Sequence, residues 1–133
     1  MGNVIVVDAS VLTVALGDDE VDGRTARARI HGESLAAPEL IDLEVASVLR
    51  RRVAAGSMSA ERARLALADL TELPMQRASH RPLLSRCWEL RQTVTVYDAA
   101  YVALAEMLQV VLLTADSRLS RAPGVQCVID VIS

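Results

Sequence analysis

Four acidic residues stand where the chain could do chemistry. Asp8 closes the apolar, β-branched run of "VIVVDAS", and Asp116 follows a second apolar run in "VVLLTADSRL". Asp98 opens the amphipathic segment "VYDAAYVALA", and Glu44 lies inside "PELIDLEVASVLRRR". For an Asp at a junction where extended chain becomes helical, capping of the helix N-terminus is a sufficient explanation. Glu44 differs, because a mid-helix acid cannot cap. At about 100° per residue it falls among Leu40, Ile41, Ser47 and Val48 on what reads as the buried stripe, while Asp42 points nearly the opposite way into solvent. An ionised Glu on an apolar stripe is costly unless paired. Its first basic neighbour on that face is Arg51, so a structural ion pair competes with a functional role.

Convergence of these acids would have a definite chemical consequence. Two like charges about 4 Å apart at an effective dielectric of about 20 repel by about 4 kcal/mol. Several such pairs rival the whole stability of a domain, about 5–15 kcal/mol. A carboxylate cluster therefore needs bound protons or a bound cation. Oxygen donors favour Mg²⁺ or Mn²⁺ over zinc, and Mg²⁺ takes one or two carboxylates directly and keeps waters. Such an ion polarises a phosphoryl oxygen and supplies hydroxide.

The elements that must position these acids alternate between short apolar runs and helical patterns. Val4 to Val7 reads as strand, Ala9 to Leu16 as helix closed by Gly17, and Val21 to Ile30 as a second helix followed by Gly32. Leu35 to Ala37 is a short apolar run, and Pro38 stands at the favoured first position of a helix running to about Ala55 and Gly56. Ser59 can cap a helix that runs through Leu73. Met75 to Ala78 is a weak strand, Pro82 to Arg91 a helix, Asp98 to Leu108 another, and Val110 to Leu113 a strand. Ser117 to Arg121 reads as a turn of helix and Val125 to Val128 as the last strand. This alternation predicts a parallel sheet covered on both faces, with ligands bound beyond the carboxyl ends of its strands.

Composition narrows the field. The 133 residues suit one domain spanning 1–133, and 52% hydrophobic residues can supply its core. No apolar stretch reaches the roughly 18 residues of a membrane span, and no basic flank leads into a cleavable apolar segment, so a cytoplasmic protein without membrane contact is expected. Cys87 and Cys127 are far apart and read as reduced and structural. The net charge of −3 argues against bulk electrostatic coating of nucleic acid, though not against a local patch. All 14 basic residues are Arg. The absence of Lys excludes receiver domains, dehalogenase-type phosphatases and P-loop NTPases, each of which calls for a lysine in its site.

Arg50, Arg51 and Arg52, with Arg24, Arg27 and Arg29, are the candidate phosphate contacts, a solvated helix face being the alternative for each. With Trp88, Tyr97 and Tyr101 as its aromatics and no Phe, the chain offers no extensive base-stacking platform. Nuclease chemistry through a 2′-hydroxyl would need His31 or His80, and neither lies at a strand end. Leu65, Leu67 and Leu70 can serve a dimer contact or the core.

The segments "VVDAS", "PELIDLEVASVLRR", "VYDAAYVALA" and "LLTADSRL", in this order and at these intervals, resemble the PIN-domain ribonucleases. The length resembles their VapC toxins. The resemblance implies a PIN-domain-like three-layer α/β/α fold with a parallel five-stranded sheet. It also implies a Mg²⁺-dependent endoribonuclease, with Mn²⁺ as a substitute, that cuts tRNA or rRNA and so inhibits translation. It further implies a homodimer and a hetero-oligomer with a neutralising VapB-type antitoxin. Carried over by position, Asp8, Glu44, Asp98 and Asp116 form the acidic site, Asp8 and Asp98 being its direct metal ligands, and Ser10 and Thr114 are supporting hydroxyls. Ser47 departs from the family, standing where many members have Asn, and Ser117 and Arg118 follow Asp116 where some carry a further acid. A non-toxin RNA-processing nuclease and a catalytically silent interaction module are the competing expectations.

Overall fold

The computed structural model describes residues 3–132. Five strands form one parallel sheet: β1 (Val4–Val7), β2 (Ser34–Pro38), β3 (Met75–Ala78), β4 (Leu112–Thr114) and β5 (Ile129–Val131). Their spatial order is β3-β2-β1-β4-β5, so β1 is central and chain direction across the sheet reverses between β1 and β4. The connecting helices are α1 (Ala9–Gly17), α2 (Val21–Ile30), α3 (Ile41–Ala54), α4 (Ala60–Glu72), α5 (Leu84–Glu89) and α6 (Val96–Leu108). Helices α1 to α4 pack on one another, whereas α6 packs on α5 and lies across β1, β2 and β4. Right-handed crossovers require this division, because steps from β1 towards β3 and steps towards β5 place their helices on opposite faces.

The central strands are buried on both sides, which is why they read as unbroken apolar runs. Val6, Val7, Leu112 and Leu113 are inaccessible, and Leu12, Ile41, Leu49, Tyr101 and Leu104 close over them. Leu70 belongs to this core, whereas Leu65 and Leu67 are exposed. Ser59 caps α4 by accepting the Arg62 N–H, as its position predicts. Gly32 and Gly56, just past α2 and α3, adopt φ of +79°, a left-handed geometry that glycine enters without Cβ strain. Cys87 is buried and Cys127 partly so, and both are free thiols. Among the described residues no helix is long and apolar enough to cross a membrane.

Several boundaries differ from the sequence expectation. Pro38 does not open α3; it ends β2 opposite Ala78, and the next residue, Glu39, donates its N–H to the Ala78 carbonyl. The last strand is Ile129–Val131 instead of Val125 to Val128, because Val128 is consumed in leading the chain to the edge, where its carbonyl accepts the Leu112 N–H. Strand β4 ends at Thr114, which pairs with Val131. The buried stripe of α3 is Ile41, Val45 and Leu49, so Glu44 sits half-buried at its margin and Ser47 is exposed. Asp42 is not simply solvated, since it takes a two-point ion pair from Arg77 of β3 at 2.8 and 3.0 Å.

Candidate active site

Two strand ends meet where the sheet changes direction. Asp8 follows β1 and stands at the N-cap position of α1, but its side chain makes no capping bond. Its carboxylate instead accepts the Ser10 hydroxyl at 2.9 Å and the Thr114 hydroxyl at 2.7 Å, both on Oδ2. Those hydroxyls also accept backbone N–H groups of the β4 turn: Ser10 Oγ takes the Ala115 N–H across from the β1–α1 turn, and Thr114 Oγ1 takes the Asp116 N–H within its own turn, each at 3.0 Å. The β1–α1 and β4 turns are thereby tied through a buried carboxylate that is 7% exposed. Open α/β sheets place ligands at this kind of crevice, beyond the strand ends at the topological reversal.

Asp98 and Glu44 enter from the two helical layers. Asp98 lies in the first turn of α6, and Thr95 caps that helix by accepting the Asp98 N–H at 3.0 Å. Capping therefore does not account for the Asp98 carboxylate. Glu44, near the start of α3, accepts the Tyr101 hydroxyl of α6 on Oε1 at 2.5 Å, a bond that joins the layers past the sheet's edge. Tyr101 is fully buried, and no arginine pairs with Glu44 among the described residues. The structural ion pair with Arg51 is absent; Arg51 donates to Ser47 instead.

Electrostatics shows these acids sharing one field. Burial pushes the Glu44 carboxyl above its ordinary range, the Tyr101 hydroxyl opposes this, and the charges of Asp8 and Asp98 add to the rise. Burial likewise raises Asp98, with further pushes from Asp8 and Asp116. Tyr101 is pushed far up, first by burial and then by Glu44, so it remains a donor. Asp116 behaves differently. It caps the following 3₁₀ turn through the Arg118 N–H and pairs with the Arg118 guanidinium at 3.0 and 3.1 Å, which holds it below the usual carboxylate range.

This donor set suits a hard divalent ion bound sparingly. Among the described residues no three acidic, His or Cys side chains converge on a single point, so a cage of direct protein ligands is not built. Mg²⁺ does not need one, because one or two carboxylates plus water satisfy it. Asp8 is braced on one oxygen only, and Asp98 lacks an arginine partner apart from the field of Arg118. Asp116 is already committed to Arg118 and Glu44 to Tyr101, so both fit more distant places than Asp8 and Asp98.

The structure does not bring Arg50, Arg51 and Arg52 to this edge. They lie at the far end of α3, about 10 Å along the axis from Glu44. Arg91, Arg118 and Arg121 instead line a cleft of about 590 Å³ that opens beside Asp98 and Asp116. Sequence pattern gave no sign of the Tyr101 hydroxyl's role, because Tyr101 fits the apolar face of α6. His80 is occupied elsewhere, accepting the Leu40 N–H on Nε2 at 3.0 Å.

Comparison with known proteins agrees with this architecture. The PIN domain family model matches residues 5–125. Ribonuclease VapC1 of Mycobacterium tuberculosis is 44% identical over 128 residues, 96% of each chain. Ribonuclease VapC9 of the same organism is 43% identical over 96% of this chain and 98% of its own. Among solved structures, VapBC2 from Rickettsia felis, bound to a DNA fragment from its promoter, superposes with a TM-score of 0.71. It covers 98% of this chain and 99% of its own, and at 11% identity the likeness is one of fold. The chain belongs to the PIN-domain family and, within it, to the VapC ribonucleases.

Proposed function

We propose that the protein is the toxin of a toxin–antitoxin pair, a Mg²⁺-dependent endoribonuclease that hydrolyses a phosphodiester bond of tRNA or rRNA and is silenced by a VapB-type antitoxin. The observation that carries this reading is the pair Glu44 and Asp98, two half-buried carboxylates raised above their ordinary range with no arginine ion-paired to either among the described residues, beside the buried Asp8 at the sheet's reversal. Such an arrangement is unfavourable until a cation joins it.

Asp8 and Asp98 would hold the ion, with Mn²⁺ as a substitute for Mg²⁺. Bound there, it would polarise a phosphoryl oxygen and lower the pKa of a water. Ser10 and Thr114 fix Asp8 by occupying Oδ2. Glu44, held by Tyr101 and raised by burial, accepts the proton of the attacking water on its carboxylate. Asp116, anchored by Arg118, completes the acidic wall. Water as nucleophile leaves a 5′-phosphate and a 3′-hydroxyl. The names of the VapC relatives support the assignment as a VapC toxin, and the R. felis neighbour of the same fold is a VapBC2 assembly. A homodimer is part of the proposal, with the exposed Leu65 and Leu67 of α4 available to it.

Sequencing of RNA ends after expression of wild type and Asp8→Asn, with and without Mg²⁺ in the matching in vitro reaction, tests the reading. Metal-dependent cuts by wild type alone, bearing 5′-phosphates, are expected. Equal cleavage by both proteins, or products ending in a 2′,3′-cyclic phosphate, would sink it.

A further inference from the structure

Most arginines that reach a carboxylate do so for structural reasons. Arg29, Arg62, Arg77 and Arg86 each pair with a carboxylate of another segment and tie surface elements together, and Arg64 pairs with Glu61 within α4. The cleft beside Asp98 and Asp116 holds a different set. Arg118 pairs with Asp116, while the exposed Arg91 and Arg121 have no carboxylate partner among the described residues. Arg121 is close enough for its charge to help hold Asp116 down. Arg91 lies over the indole of Trp88, 4.4 Å from its centroid, and donates to the Trp88 carbonyl at 2.8 Å. Trp88 is 63% exposed, a large ring left at the surface with this guanidinium as its companion.

We infer that this cleft is the path of the single-stranded RNA segment flanking the scissile bond, with Arg121 and Arg91 holding its phosphates and the Trp88–Arg91 stack receiving an unpaired base. This rests on the ribonuclease reading and gives the site a direction, from the acidic edge past Arg118 and Arg121 to Trp88. Two guanidiniums without carboxylate partners among the described residues, lining one cleft, suit phosphates, which they can grip with two donors each. A surface ring with a guanidinium stacked on it suits a base freed from its helix, because stacking accepts any base. Duplex RNA offers no free base to the stack. The stack also holds the Arg91 fork in one orientation before RNA arrives, which limits the ordering cost of binding.

Binding of a short, mixed-sequence, single-stranded oligoribonucleotide to the Asp8→Asn protein without divalent metal provides the test, read by anisotropy of end-labelled RNA. Trp88 is the single tryptophan of the chain and is stacked on Arg91, which lines the cleft, so its fluorescence reports on the Arg91 end of the proposed path. Saturating RNA is expected to change that emission. Adding Arg91→Ala and Arg121→Ala should weaken binding about twentyfold at about 0.1 M salt and reduce the salt slope by about 1.4, the counterion release of two phosphate contacts on a single strand. Trp88→Ala should cost about tenfold, and Trp88→Phe should recover most of it. Unchanged emission at saturation, or full affinity in the double arginine variant, overturns the path, as does loss of affinity on Arg50→Ala and Arg51→Ala instead. If metal-supplemented wild type still cleaves RNA in those cases, the path fails and the ribonuclease reading stands. If wild type neither binds nor cleaves RNA, both fail.

Discussion

Replacing Tyr101 by Phe removes one oxygen from a fully buried ring and tests the electrostatic account of the acidic edge. The ring and its packing stay; the donor to Glu44 goes. A hydrogen bond to a charged group contributes about 1.5–3 kcal/mol, and because Glu44 is half-buried the lower part of that range applies, about 1.5–2 kcal/mol at neutral pH. With the usual unfolding entropy per residue, a chain of 133 residues should lose about 5–7 °C in Tm. At acid pH Glu44 is protonated, the bond is neutral and contributes about 1 kcal/mol, and the deficit should shrink to about 3–4 °C. The sign follows from linkage. Burial raises Glu44 in the folded state, so its contribution is complete below the ordinary carboxyl pKa and is lost as pH rises through the folded value. Without the opposing Tyr101 hydroxyl the folded value climbs further, so the loss grows and the gap between the two proteins widens with pH. Thermal melts of both proteins from about pH 4 to about pH 7, in chelator, read this directly. A gap that stays constant or narrows towards neutral pH would refute the claim that the bond carries an ionised Glu44.

Three further outcomes are expected. Mg²⁺ at about 100 times its Kd should stabilise the wild type by about 2.7 kcal/mol, about 10 °C in Tm, and Asp98→Asn should abolish the shift while melting no lower than wild type in chelator, since it removes repulsion from Asp8 and Asp116. Thr114→Val removes a buried donor from Asp8 at nearly constant volume and should lower cleavage at least tenfold, with Thr114→Ser restoring much of it in a gel assay of RNA products. Thr95→Ala removes the cap of α6 and should cost about 1 kcal/mol, seen as a Tm about 3–4 °C lower in thermal melts.

The strands that the sequence revealed are those buried on both faces, where every residue must be apolar. Strand β5 was misplaced because it lies at the sheet edge: Asp130 interrupts it and turns outward to Arg29, while the more apolar Val125 and Val128 only lead into it. Pro38 was misread for a related reason. A proline suits the end of a strand as well as the start of a helix, and the ladder to Ala78 decides between them. Asp8 and Asp116 were visible as acids at strand ends and Glu44 as an acid on a helix stripe, yet their partners were not. Tyr101 reaches Glu44 from 57 residues away, and Arg77 reaches Asp42 from 35, distances at which no local pattern survives. For Asp98 the local pattern itself misled, since a residue three places earlier is the cap.

The bond from Thr114 to Asp8 spans 106 residues, and that span sets a schedule for the protein's own synthesis. While the ribosome is still adding residues short of β4, β1 lacks its neighbour on that side, and the buried carboxylate has neither of the hydroxyl arrangements that depend on the β4 turn. A nascent chain therefore carries Asp8 through 106 residues of synthesis before the hydroxyl of Thr114 can lock it. The acidic edge takes its working form only once the β4 turn has left the ribosome, after the residues bearing Asp8, Glu44 and Asp98 have already been made.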